Sequence, residues 1–226
     1  MIETAIGIVG GAIVAIVITI VVEVLRRPKL RMRIATTGKA TYPPGRPAAT
    51  GQYINIDLVN EPLPWLFRWL LRDAALQCRG TVTFHNLDGQ RYFSAAMPVR
   101  FVRSPEPVPM RIVLGGLSGA LVDPLRLSLD SRIDLYPGES TPFDIAAKFD
   151  SEADCYAWSN LNYFSDPPWR HPDWRLPSGR YIVEVTILSN SAKCRGLFRL
   201  LNQGGPNDFR LENAMATDRA LHPAAS

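Results

Sequence analysis

Disulfide chemistry has little to work with in this chain of 226 residues. The three cysteines, Cys78, Cys155 and Cys194, are an odd number with no C-x-x-C pair, and there is no Asn-x-Ser/Thr sequon. That pattern fits a reducing compartment. Histidine is as scarce, with only His85, His171 and His222. A zinc site draws three or four ligands and normally includes one tight C-x-x-C or H-x-x-x-H pair. None is present, so no metal and no cofactor is expected; Cys155 and His171, with Asp166 and Asp173 flanking the histidine, are the nearest approach. No nucleophile-elbow or oxyanion signal accompanies that pair. Phosphate-cradling glycine motifs are missing too, because Gly115, Gly116 and Gly119 lack the lysine and the helix that would follow them. No catalytic residue is expected and the chain reads as a non-enzyme; an enzyme, or a metal-dependent hydrolase, using the 150–179 segment is the alternative.

Charge is absent where the chain begins. Residues 4–22 (TAIGIVGGAIVAIVITIVV) carry none over 19 positions, and at about 1.5 Å per residue such a helix crosses a hydrocarbon core of roughly 30 Å. A basic n-region and a small-residue cleavage site are both lacking, so a retained transmembrane helix over 2–25 is expected, not a signal peptide. Acidic residues are absent between Glu23 and Asp57, whereas Arg26, Arg27, Lys29, Arg31, Arg33, Lys39 and Arg46 fall in that interval. The remainder of the chain is close to neutral, which argues against a nucleic-acid partner. By the positive-inside rule the chain is a single-pass protein of the inner (cytoplasmic) membrane, N-terminus outside and the bulk in the cytoplasm. Arg26, Arg27, Lys29 and Arg31, in and beyond the basic exit at 26–29, are then placed to meet lipid headgroups. Pro28 stops the helix. Gly7, Gly11 and Ala15 recur every four residues on one helix face, a small-residue stripe that suits packing against a second transmembrane helix or another copy of the chain.

What remains is rich in turn residues: 19 prolines and 16 glycines spread along the chain suit short strands, hence an all-β domain over 30–202. Alternation supports strands at 30–36, 53–60, 78–84 and 133–135, and at 143–149 with Phe143, Ile145, Ala147 and Phe149 on one side of Asp144 and Lys148. The turn Asn86-Leu87-Asp88-Gly89 predicts an antiparallel return over 91–95. The strongest strand is 180–188, with Tyr181, Val183, Val185 and Ile187 on one face, and 194–201 returns from it. The prolines at 105, 107 and 109 forbid a regular central strand, so 98–129 reads as connections and edge strands. The tail, 203–226, has little to pack and is expected to be mobile.

The run Leu176-Pro177-Ser178-Gly179-Arg180-Tyr181, leading into that strongest strand, resembles the penultimate strand of immunoglobulin-like and fibronectin-type sandwiches, where a tyrosine at the strand's start forms a tyrosine corner. Leu135-Tyr136-Pro137-Gly138-Glu139 resembles the preceding edge of such domains. The resemblance implies an immunoglobulin-like antiparallel β-sandwich behind one transmembrane helix, an arrangement similar to that of many prokaryotic single-pass membrane proteins of unknown role. It implies no function.

Two segments stand outside the strands. In Pro62-Leu-Pro-Trp-Leu-Phe-Arg-Trp-Leu-Leu-Arg72, Trp65, Phe67, Arg68, Trp69 and Arg72 are interleaved in the manner of a membrane interface. The insert at 62–75 is a monotopic contact beside the anchor, a surface for a membrane partner, or a helical cap with its apolar side buried. The insert at 150–179 concentrates Tyr156, Trp158, Tyr163, Trp169, His171 and Trp174. Aromatics there form either a partner or ligand site or a private mini-core. The function expected is a membrane-anchored binding or accessory-subunit module that docks a protein partner at the membrane surface.

Overall fold

The structure, a computed structural model, describes residues 2–35, 37–41, 50–67, 69–105, 110–114, 117–121, 131–149, 152–165, 169–203, 208–215 and 218; for 2–9, 39–41, 50, 110–114, 117–121 and 164 it does so by backbone alone. In chain order the elements are the helix α1 (Ile2–Arg26) and strands β1 (Leu30–Ile34), β2 (Gly38–Thr41), β3 (Thr50–Asn60), β4 (Ala75–His85), β5 (Met97–Pro98), β6 (Arg100–Phe101), β7 (Met110–Leu114), β8 (Leu117–Leu121), β9 (Ile133–Leu135), β10 (Ser140–Phe149), β11 (Cys155–Ala157), β12 (Arg175–Leu176), β13 (Gly179–Leu188), β14 (Lys193–Asn202) and β15 (Phe209–Asn213). Every pairing among them is antiparallel. One sheet runs β1-β3-β10-β11-β12, with β2 on β3 and β6 on β10; the second runs β15-β14-β13-β4-β5, with β9 on β4. Among the described residues β7 and β8 pair only with each other.

The two sheets share one core. Ile54, Ile56 and Leu58 of β3 and Phe143 and Ile145 of β10 pack in one cluster with Val82 and Phe84 of β4, Val183, Val185 and Ile187 of β13 and Leu200 of β14. Each such Val, Leu, Ile or Phe adds about 1.5–3 kcal/mol when taken fully out of water. The chain is thus an all-β domain of two packed antiparallel sheets behind an N-terminal helix. At the start of β13, Tyr181 Oη donates to the carbonyl of Pro177, four residues upstream, at 2.9 Å, which ties the strand to the connection that enters it.

β10 departs from simple alternation. Its register against β3 shifts between Asp144 and Ala146, the signature of a β-bulge, and a bulge exchanges the faces of all that follows. Phe143, Ile145 and Ala146 belong to the main core, whereas Ala147 and Phe149 belong to a second cluster with Tyr156 and Trp158. The expectation that Phe143, Ile145, Ala147 and Phe149 share one face is therefore corrected.

Other boundaries move as well. The return from the Asn86–Gly89 turn makes a single bridge, His85 to Arg91, and regular pairing resumes only at Met97 and Pro98; between them Phe93 tucks inward against Phe84 and Trp174, at ring separations of 5.5 and 5.0 Å. The tail is not wholly mobile: Phe209 and Leu211 are buried as β15 pairs with β14, and Asp218 holds Arg199 through both carboxylate oxygens at 2.6 and 2.8 Å. The domain extends past 202 because two apolar residues at alternate positions suffice to close an edge. Finally, the 150–179 segment is not an excursion from the sandwich, since it supplies β11 and β12 to the first sheet.

α1 projects from this domain. Ile13, Ile16, Ile18 and Ile20 are each more than half exposed, as are Val14, Val17 and Val24. Among the described residues no helix is long and apolar enough to cross a membrane; the side chains of α1 are described over 10–26.

Candidate functional site

The end of α1 does not lead into a free linker. Asp73 N donates to the carbonyl of Arg26 at 2.7 Å, and the Arg26 guanidinium meets the Asp73 carboxylate at 3.1 Å. Pro28, where the helical geometry has already stopped, is buried. One residue on, Lys29 N donates to Asn60 Oδ1 at 3.1 Å and Glu61 N donates to the Lys29 carbonyl at 2.9 Å. Asn60 itself is fully buried, and its Nδ2 donates to the carbonyls of Asp73 and Leu135 at 3.2 and 3.1 Å. A buried carboxamide satisfied at both ends is what makes such a junction stable, since an orphaned amide costs about 1–3 kcal/mol. Asn60 therefore clasps the exit of α1, the 62–74 segment and the end of β9 together.

Charge follows the same junction. Glu61 receives Lys29, Arg31 and Arg33 at 3.4, 3.0 and 3.7 Å, and the three cations are more than half exposed. Arg27 is exposed. Of the residues expected at headgroups, Arg26 is engaged by Asp73, and Lys29 and Arg31 share one carboxylate.

The 62–72 segment lies beside this exit. It forms only a 3-10 turn at Trp65–Phe67, with no buried residue, continued by Leu70 N donating to Phe67 O at 2.9 Å. Trp65 and Trp69 are each 75% exposed and Leu71 80%; Phe67 and Arg72 are half-buried. The apolar side is thus turned to the outside, so a buried helical cap is ruled out. Burial lowers the pKa of Arg72, Glu61 countering it, and the Arg72 Nε has no acceptor among the described residues. Arg68 lies outside the described residues. Gly7 is described by its backbone alone; Gly11 and Ala15 are exposed on α1, and a Cβ at Gly11 would meet nothing within 4 Å.

The aromatic segment behaves differently. Phe149, Tyr156 and Trp158 are buried together on the outer face of the first sheet, with Tyr53, Tyr163 and Trp169 packed against them. Their rings meet edge to face: Tyr53 to Trp158 at 5.1 Å, Trp158 to Tyr163 at 5.8 Å and Trp158 to Trp169 at 5.9 Å, geometries worth about 0.5–1.5 kcal/mol each beyond their area. Arg170 lies over Phe149 at 4.2 Å and is paired with Glu152. Trp174 goes elsewhere, into the main core. The loop is closed by Asn202, fully buried at the end of β14, whose Nδ2 reaches the carbonyls of Ala153, Leu176 and Pro177 and whose Oδ1 accepts from Lys148 Nζ at 2.8 Å.

Under the same cluster sits a buried ion pair. Arg100 Nη1 donates to Asp144 Oδ2 at 2.8 Å, both side chains being less than a tenth exposed, and the Arg100 guanidinium lies 5.4 Å from the centre of the Tyr163 ring. Burial pushes the Asp144 carboxyl up to about 6, outweighing the pull of Arg100 in the other direction.

Cys155 is fully buried opposite Lys148, and burial pushes its thiol up to about 12 in spite of that lysine; the thiolate is the reactive form. His171 Nδ1 accepts from Asp173 N at 3.3 Å and so caps the short turn Pro172–Trp174. Among the described residues no group of three or more His, Cys, Asp or Glu side chains is placed to hold a metal; Asp166 lies outside them. Asn60 and Asn202, each pinning a loop to a strand end, escaped the sequence reading, because a lone asparagine in a strand carries no pattern. No protein-family model, curated protein or solved structure matches the chain.

Proposed function

We propose that this chain is a single-pass membrane protein whose immunoglobulin-like β-sandwich acts as a binding or accessory-subunit module, held at the cytoplasmic side of the inner membrane and docking a protein partner there. The observation that carries the reading is the apolar helix: residues 4–22 have no charge, and Ile13, Val14, Ile16, Val17 and Ile18 are each more than half exposed. Isolated apolar surface of that extent belongs in lipid or against another apolar surface. The basic residues that follow set the orientation. A binding role is favoured over a catalytic one because Cys155, the nucleophile weighed for the aromatic segment, is a buried thiol and His171 is spent on a cap. The partner helix would run along Gly7, Gly11 and Ala15, small residues that allow close backbone approach, and a Cβ at Gly11 meets nothing within 4 Å.

The test is co-purification of the full-length chain in mild detergent, compared with a chain whose anchor is replaced by polyleucine and with Gly11→Leu. A partner lost from both variants and kept by the unaltered chain supports the reading. Release of the unaltered chain from membranes by alkaline carbonate, or rapid labelling in intact cells of a cysteine placed near the C-terminus, overturns the anchor or its orientation respectively.

A further inference from the structure

The position of the tryptophan segment carries one more step, which rests on the anchor reading. We propose that Trp65, Leu66, Trp69 and Leu71 form a collar that enters the headgroup layer of the bilayer beside α1, so that the domain sits on the membrane in one fixed orientation.

Three observations converge on a lipid surface as the occupant. First, the collar is continuous with the anchor: Asp73, which closes the segment, bonds the last residue of α1 through both backbone and side chain, so the collar is held at the level where the helix leaves the apolar layer. Second, four large apolar side chains stand more than 60% exposed within seven residues. Exposed tryptophan with leucine is the composition of an interfacial belt, the ring lying at headgroup depth. Third, the ring of charge around them is cationic. Arg26, Arg27, Lys29, Arg31, Arg33 and Arg72 surround the junction, against Glu61 and Asp73 as the carboxylates bonded within it. Arg27, Lys29, Arg31 and Arg33 are exposed, and exposed cations beside a bilayer attract anionic headgroups. A protein surface would more often be met with mixed charge at the rim.

The fixed orientation follows from the clasp. A domain on a flexible tether samples many tilts, whereas here the helix exit at Lys29 and the end of the collar segment at Asp73 are both bonded to Asn60.

The full-length chain is reconstituted into vesicles of phosphatidylcholine and phosphatidylglycerol, with and without bromines near the top of the acyl chains, and tryptophan emission is compared for the unaltered chain and for W65F/W69F. The expected result is a chain that floats with the vesicles, a loss of emission to the bromines in the unaltered chain, and no such loss in W65F/W69F, whose remaining tryptophans are in the body of the domain. A chain that floats while Trp65 and Trp69 stay unquenched by bromine overturns the collar and leaves the anchor standing, whether those residues are open to acrylamide or covered by protein. A chain that does not float removes the anchor reading and the collar with it.

Discussion

Lys29 and Asn60 are joined by a hydrogen bond from the backbone amide of one to the side-chain oxygen of the other, at 3.1 Å, and the remaining half of that carboxamide holds Asp73 and Leu135. Through Asn60 the first residues after the helix, the exposed tryptophan segment and the short strand before β10 meet at one buried side chain.

Asn60→Ala removes all three side-chain contacts at once and strands the Lys29 amide. We expect a loss of about 2–4 kcal/mol in unfolding free energy, read from urea denaturation of the full chain in detergent, and new proteolysis between 26 and 30. Asn60→Asp keeps the acceptor for Lys29 but sets a buried carboxylate against the carbonyls of Asp73 and Leu135, so it should cost at least as much as alanine. An alanine variant as stable as the parent would show that the clasp holds nothing.

The buried Asp144 makes stability depend on pH. Its carboxyl is raised to about 6 from an ordinary value of 3.8, so the folded state holds the proton more tightly than the unfolded chain. The stabilisation is complete below about pH 3.8 and is lost as the pH rises through 6. Asp144→Asn cannot titrate. Urea midpoints taken between pH 4 and 7 should show the parent losing ground to the variant over that window; parallel profiles would place the carboxyl at its ordinary value.

Thiol reactivity offers a check on the loop chemistry. Burial raises Cys78 to about 11 and Cys155 to about 12. Iodoacetamide at pH 8 should modify neither in the native protein within a time that modifies both in urea, as mapped by mass spectrometry. Prompt labelling of native Cys155 would reopen the nucleophile reading.

Gly80 is fixed by a neighbour's backbone. A Cβ there would press on Ile187 Cδ1 and lie 2.8 Å from the Thr186 carbonyl, on the strand that β4 pairs with. Gly80→Ala should cost about 1–3 kcal/mol, and Ile187→Val should not restore it, because the carbonyl stays. A rescue would assign the cost to the side chain alone.

Much of the sandwich was legible because its central strands alternate plainly. β13 shows Tyr181, Val183, Val185 and Ile187 on one face, all buried as expected, and β3 does the same with Ile54, Ile56 and Leu58. The bulge in β10 was not, since apolar residues lie at every other position on both sides of it and only pairing with β3 reveals the slip. β11 and β12, three and two residues long, are strands only because the sheet edge receives them. The tryptophan segment is legible as aromatic, and a place beside the helix is one of its three readings; the bond that joins it there, between Arg26 and Asp73, 47 residues on, depends on the β1 to β3 pairing and has no sequence signal. In the aromatic segment the rings of Tyr156, Trp158, Tyr163 and Trp169 cover the sheet and one another, whereas Trp174 enters the main core.

The slip in β10 has a thermodynamic consequence. Phe143 and Phe149, six residues apart on one strand, serve opposite faces of the same sheet, so neither hydrophobic cluster can melt without dragging the backbone of the other. The domain should lose both in a single cooperative transition, with near-ultraviolet dichroism from the tryptophan cluster and far-ultraviolet dichroism from the strands falling along one curve.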